Sequence, residues 1–156
     1  MACGVHCMGA KGMTMAYNRD ALAHYVGKAQ LAALRQGYNG EEGVFFADKM
    51  REYVERIKAM PQTYAQDGLG AAALVHLHYF SGASDWYITE KDSDPDAEGQ
   101  IQAFGLADLF HDGGELGYIS IKELIEANVE LDLHWSVKTL EAVRGAYKLD
   151  EGDEGD

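Results

Sequence analysis

The chain has 156 residues, 47% of them apolar and 25% charged, with only 2 Pro and a net charge of −13. That composition sustains one folded domain with a hydrophobic core and excludes an intrinsically disordered chain. No apolar run approaches the ~18 residues needed to span a bilayer, and the acid excess argues against direct nucleic-acid binding, which needs cationic surface.

The charge is uneven. Residues 1–58 carry 8 Lys/Arg against 6 Asp/Glu; residues 59–156 carry 5 against 20. The balance is +2 in the first segment and −15 in the second. Such a surface favours a basic protein partner and fast, salt-sensitive association. The plainer reading of the same charge is solubility alone.

In chain order, residues 1–15 (MACGVHCMGAKGMTM) lack the apolar core of a signal peptide and read as a flexible leader of a cytoplasmic protein, with Met13 and Met15 as alternative starts. Cys3, His6 and Cys7 sit within it. They are three soft ligands where tetrahedral zinc needs four, and with no other cysteine they build no disulfide framework. Asn18 is a good N-cap for a first helix carrying Leu22, Tyr25, Val26, Ala29 and Ala33 on one face, stopped at Gly37. A second helix is expected from Glu42 to Met60. Its apolar stripe is Phe46, Met50, Tyr53, Val54 and Ile57, with Arg56 and Lys58 at its negative end and Pro61 as its stop.

After Gly68-Leu69-Gly70 the rhythm becomes alternating. Strands are expected at 72–80, 85–92, 100–109 and 115–120, with Ser81-Gly82-Ala83-Ser84 as a hairpin connection and His111-Asp112-Gly113-Gly114 as a turn. Ser120-Ile121-Lys122-Glu123 fits a capping box opening a short helix through Asn128. In VELDLHW, Val129, Leu131, Leu133 and Trp135 alternate on one side, and Ser136 is placed to cap a last helix with Leu140, Val143 and Tyr147. Residues 150–156 are all Asp, Glu or Gly and read as a disordered acidic tail. The order predicts one α+β domain over 16–149. Its N-terminal helical pair packs on an antiparallel sheet of about four strands, and short helices follow.

Two candidate sites stand out. On a strand, His76 and His78 point to one face, with Asp85, Tyr87 and Thr89 of the next strand within reach, a set suited to holding a metal or moving protons. Ordinary packing of both rings, between sheet and helices or on a half-exposed face beside Leu74 and Phe80, is the preferred account of them. Asp92, Asp94, Asp96 and Glu98 form an acidic loop that fails the EF-hand pattern, because Ala97 stands where Gly is required and Ala103 where the bidentate acid should be. These acids, with Asp108, Asp112 and Glu115 near the next turn and Trp86 and Tyr87 as aromatic anchors, make a candidate docking surface for a basic partner. Serine-nucleophile, P-loop and dinucleotide-binding patterns are absent, so no catalytic motif and no cofactor is indicated.

The segments AMPQTYAQDGLG, VHLHYFSGASDWYITEKD, QAFGLADL, ELGYISIKELI and VELDLHWSVKTL resemble an uncharacterised domain-of-unknown-function family of small proteins carried on bacterial plasmids and phages, across roughly residues 44–143. The family has no established catalytic residues to carry over. The resemblance implies a mobile-element setting, often beside antirestriction genes. The expectation is therefore a non-enzymatic acidic protein binding a basic host or defence protein, such as a restriction or CRISPR nuclease complex, in competition with nucleic acid. A small metal-binding protein or hydrolytic enzyme built on His76, His78 and Asp85 is the alternative, and a scaffold subunit a third reading.

Overall fold

The computed structural model describes residues 22–66, 68–92, 100–110 and 113–145 as a mixed α+β structure. The leader with Cys3, His6 and Cys7, the Asn18 cap, the loop acids Asp94, Asp96 and Glu98, Asp112, Tyr147 and the acidic tail lie outside the described residues.

The expected first helix is interrupted. Tyr25 and Val26 close a turn onto the Leu22 carbonyl (2.9 and 2.8 Å), and Gly27, extended at ψ 157°, starts a new helix, α1 (Lys28–Tyr38). The restart shifts the helical phase. Leu31 and Leu34 are buried, while Ala29 and Ala33, expected on the inner face, are exposed. Gly37 does not end the helix; Asn39 caps it. A Cβ at Gly37 would stand 2.6 Å from the Phe46 ring, so this glycine serves the contact between the two helices.

Helix α2 (Gly43–Ala59) buries Met50, Tyr53, Val54 and Ile57 and stops before Pro61, close to the periodicity expected. At its C-terminus Lys91 Nζ donates to the Ile57 and Lys58 carbonyls (3.0 and 3.2 Å), a cation at the negative pole. Burial lowers the pKa of that amine.

Seven strands are described: β1 (Leu74–Val75), β2 (Leu77–Ser81), β3 (Ser84–Glu90), β4 (Ala103–Asp108), β5 (Glu115–Ile119), β6 (Glu130–Leu131) and β7 (Lys138–Thr139). The expected meander is β2 to β5, and β6 adds a fifth strand, giving the antiparallel order β5-β4-β3-β2-β6. Gly82 at φ 57° makes the tight β2–β3 hairpin. The expected 72–80 strand breaks at His76, because β1 leaves the large sheet and pairs β7 in a separate two-stranded one.

Alternation then gives the sheet two different faces. Leu77 and Tyr79 of β2, Ile88 of β3, Ala103 of β4 and Ile119 of β5 pack with α1, α2 and Leu131 in the larger core. Tyr79 is fully buried, and its hydroxyl donates to the Tyr25 carbonyl at 2.5 Å. The opposite face carries Tyr87 and Leu106, covered by Ala73, Val75, Leu140, Val143 and Trp135 in a smaller core. Leu133 joins the larger core and Trp135 the smaller. The expected one-sided stripe over 129–135 is therefore split by a turn after β6.

Helix α3 (Ile121–Glu126) is capped as the sequence predicts: the Glu123 amide donates to Ser120 Oγ. It ends with Asn128 at φ 60°, while the Asn128 and Val129 amides return to the Ile125 and Leu124 carbonyls in a Schellman closure. The helical stretch 140–145 is capped by Thr139, whose Oγ1 accepts from the Ala142 amide, rather than by Ser136.

Candidate functional site on the second sheet face

Two groups of polar side chains occupy the second face. The first is centred on His78. Strand register places His78 beside Tyr87, and their rings stack 4.8 Å apart at 9°. Trp135 closes over the ring at 5.0 Å. His78 Nε2 lies 2.8 Å from Asp85 Oδ1, and Nδ1 lies 3.0 Å from Asp132 Oδ2. Asp132 reaches this position because it heads a turn: its Oδ1 accepts from the His134 amide (2.9 Å) and its own amide donates to the His78 carbonyl (2.8 Å).

Helix α2 holds that turn in place. Tyr53 Oη donates to the Asp132 carbonyl (2.6 Å). Arg56, 4.4 Å above the Tyr53 ring, donates to the Trp135 carbonyl (3.0 Å). The Trp135 indole donates to the Val75 carbonyl (3.0 Å).

The expected approach of Asp85 and Tyr87 to His78 is present; that of His76 and Thr89 is not. His76 sits at the break between β1 and β2, half-buried, with its pKa lowered by burial first and by Arg56 second. Thr89 turns to the Glu90 carboxyl and the Phe104 carbonyl. Both ring nitrogens of His78 are already engaged by carboxylates, so neither is open to a metal or a substrate. Among the described residues, no group of three or more His, Cys, Asp or Glu is placed to hold a metal ion. Chemically, this cluster ties β2, β3 and the turn after β6 together.

The second group surrounds a cleft of about 420 Å³ at the uncovered end of the same face, lined by Tyr64, Gln66, Thr89, Glu90, Phe104 and Leu116, with Gly68, Gly70, Ala73 and Leu140 completing its walls. Glu90 is there because of a β-bulge. Ile88 pairs Gly105 and Glu90 pairs Phe104, so two residues of β3 oppose one step of β4. The bulge turns Glu90 from the helix-covered face to the side of Phe104. Glu90 is 4% exposed; its Oε1 accepts from the Gln66 amide (3.1 Å) and its Oε2 from Thr89 Oγ1 (3.0 Å). The Gln66 side chain binds both backbone groups of Leu74, fixing one wall of the cleft. At the lip, Tyr64 has φ 79°, sparsely populated for a non-glycine residue, and its hydroxyl bonds that of Tyr118. That bond raises the Tyr118 pKa. The Tyr118 ring stands edge-on to both Tyr64 and Phe104.

The proposed docking residues are redistributed. Asp92 is 6% exposed, its carboxylate accepting from the Gln102 amide (2.9 Å), so it pins the ends of the acidic loop. Asp108 is fully buried, directly across from Asp85. Trp86 packs against the helix-side core, and Tyr87 is buried under His78 and Trp135. These four therefore do not form an outward-facing surface: strand alternation turns Trp86, Tyr87 and Asp108 to covered faces, and Asp92, beyond the end of β3, is drawn inside by its bond to the Gln102 amide. Glu115 is exposed at the start of β5.

A family model matches residues 48–149, which include every strand, α3, and both polar groups. The chain belongs to the DUF2958 family. This family is described as proteins of unknown function. No curated protein and no solved structure matches the chain. The DUF2958 region begins within α2, so Tyr53 and Arg56, which hold the Asp132 turn, fall inside it.

Sequence reasoning missed Asp132, Trp135 and Glu90. Asp132-Leu133-His134 carries the signal of an Asx turn, an Asp two residues before the amide it accepts from. No comparable signal marks Glu90, since a bulge in the middle of ITEKD leaves its alternation unchanged.

Proposed function

We propose that this DUF2958 protein is a non-enzymatic binding protein that docks a basic protein surface on the open end of its second sheet face. The observation that carries the reading is that Leu116 and Tyr118, on edge strand β5, stay 45% and 55% exposed beside Tyr64 at 65%. The smaller core covers Tyr87 and Leu106 but stops short of them. An apolar, aromatic centre with acidic sequence around it is the anatomy of a protein interface for a cationic partner. The acids Asp94, Asp96 and Glu98 precede β4, and Asp112 and Glu115 precede or begin β5. The biological form of this reading is an antagonist from a mobile genetic element that occupies the nucleic-acid-binding surface of a host restriction or CRISPR nuclease. The metal or hydrolase reading on His76, His78 and Asp85 draws no support from the His78 geometry.

The test is binding of purified restriction and CRISPR nuclease complexes to the full chain at low and high salt, with DNA cleavage as a second readout. The expected result is saturable binding that weakens steeply with salt, inhibits cleavage and is reduced by Tyr118→Ala or by amide replacement of Asp94, Asp96 and Glu98. Binding indifferent to salt and to these changes, or no binding to any such complex, would overturn the proposal.

A further inference from the structure

We infer that the Glu90 cleft is an arginine pocket, which takes one guanidinium side chain of the basic partner. The inference rests on the docking reading and adds its central contact. Three features of the cleft converge on this ligand.

The first is a carboxyl group at the floor. Glu90 is brought to the cleft face by the bulge and is held there by one hydrogen bond to each oxygen, from the Gln66 amide and Thr89 Oγ1. Each carboxylate oxygen has two acceptor positions. One remains on each, as many as the two parallel N–H donors of a guanidinium require. The nearest cation in sequence, Lys91, is committed elsewhere, to the α2 carbonyls of Ile57 and Lys58.

The second feature is the wall. Phe104 and Tyr64, both in edge-on contact with Tyr118, line the cleft with Leu116 and Leu140. Aromatic faces attract a planar cation, and the apolar walls suit its aliphatic stem. A guanidinium is also more weakly hydrated than an ammonium, so it enters a site floored by a nearly buried acid at lower desolvation cost than lysine. The third is preorganisation: Tyr64 is held at φ 79°, and Gln66 is clamped to Leu74 and Thr89 through its side chain. Backbone strain of this kind gathers at ligand clamps. The volume, about 420 Å³, accommodates one extended side chain rather than a folded segment.

The test uses the full chain and three blocked tripeptides, Ac-Gly-Xaa-Gly-amide with Xaa as arginine, lysine or citrulline, followed by backbone amide NMR. Citrulline has nearly the shape of arginine without its charge. The arginine peptide is expected to shift the amides of Gln66, Thr89, Glu90 and Phe104 saturably. Citrulline, and separately Glu90→Gln with the arginine peptide, should each weaken binding by about tenfold or more, the range of a lost charge-assisted pair. Lysine should bind more weakly than arginine. Phe104→Leu, which leaves Glu90 in place, guards against a Glu90 variant that merely unfolds; it should weaken the arginine peptide while the rest of the spectrum is retained.

Equal binding of citrulline or lysine, or shifts confined to other residues, would overturn the pocket. If the peptides behave this way but no basic protein is captured, the docking reading fails and the pocket stands. If a nuclease complex is bound in a salt-sensitive way while the arginine peptide is ignored, the pocket fails and the docking reading stands.

Discussion

Replacing His78 with alanine separates a structural tie from a reactive site, and its cost follows from the geometry. The substitution removes a ring stacked at 4.8 Å on Tyr87, a contact type worth ~0.5–1.5 kcal/mol. It also strands two carboxylates. A buried group left without its partner costs ~1–3 kcal/mol. Asp85 and Asp132 retain side-chain exposures of 16% and 25%, so water compensates part of that and the lower end applies to each. The sum is about 3 kcal/mol. For a domain of this size the unfolding entropy converts 1 kcal/mol to roughly 3 °C, so Tm should fall by roughly 9 °C. The assay is urea and thermal unfolding of His78→Ala in two backgrounds, the native chain and the Asp85→Asn, Asp132→Asn double variant. In the second background no charge is stranded, and the loss should shrink by about 1 kcal/mol or more. A loss below about 0.5 kcal/mol, or the same loss in both backgrounds, would refute the network as the source of stability.

Gly105→Ala places a Cβ 2.0 Å from the Tyr87 carbonyl oxygen, a backbone atom that cannot swing aside. Denaturant unfolding should register a loss of about 3 kcal/mol or more, or no folded protein at all. Ser120→Ala removes the acceptor for the Glu123 amide and should cost about 1 kcal/mol in the same assay, whereas Ser136→Ala should leave stability within ~0.5 kcal/mol. His76 has a folded pKa below its ordinary value of 6.5, from burial and then from Arg56. The unfolded chain therefore binds the proton first as pH falls, so the stability this residue contributes is full above 6.5 and is lost as pH drops through the lowered folded value. Urea midpoints measured from pH 7 downward should show a steeper decline in the native protein than in His76→Gln; parallel curves would contradict this assignment.

Much of the architecture was legible because it rests on local periodicity. Met50, Tyr53, Val54 and Ile57 recur at helical spacing in α2, and Pro61 stops it. The alternation through LHYFS and SDWYITE with Gly82 between them specifies the β2–β3 hairpin. Ser120 with Glu123 specifies the α3 start. Errors arose where a residue had two uses. Gly37 reads as a helix stop but makes room for Phe46, and Gly27 reads as an ordinary helical position but restarts the helix. The 72–80 run, AALVHLHYF, reads as one unbroken strand with His76 and His78 in step, so nothing local marks His76 as the point where the chain changes sheets.

The sequence by itself determined the α+β class, the helix-covered sheet face and the acid-rich character of the second half, since each follows from short-range pattern or composition. Only the tertiary structure decided which polar groups meet: His78 with Asp132, which lies 54 residues away, and Glu90 with Phe104 across a bulge. It also decided that Asp92 and Asp108 lie inside. A carboxylate has the same letter on either face of a strand. Its surroundings are set by strand register and by which elements lie over that face, and both are fixed by packing between parts of the chain that are distant in sequence.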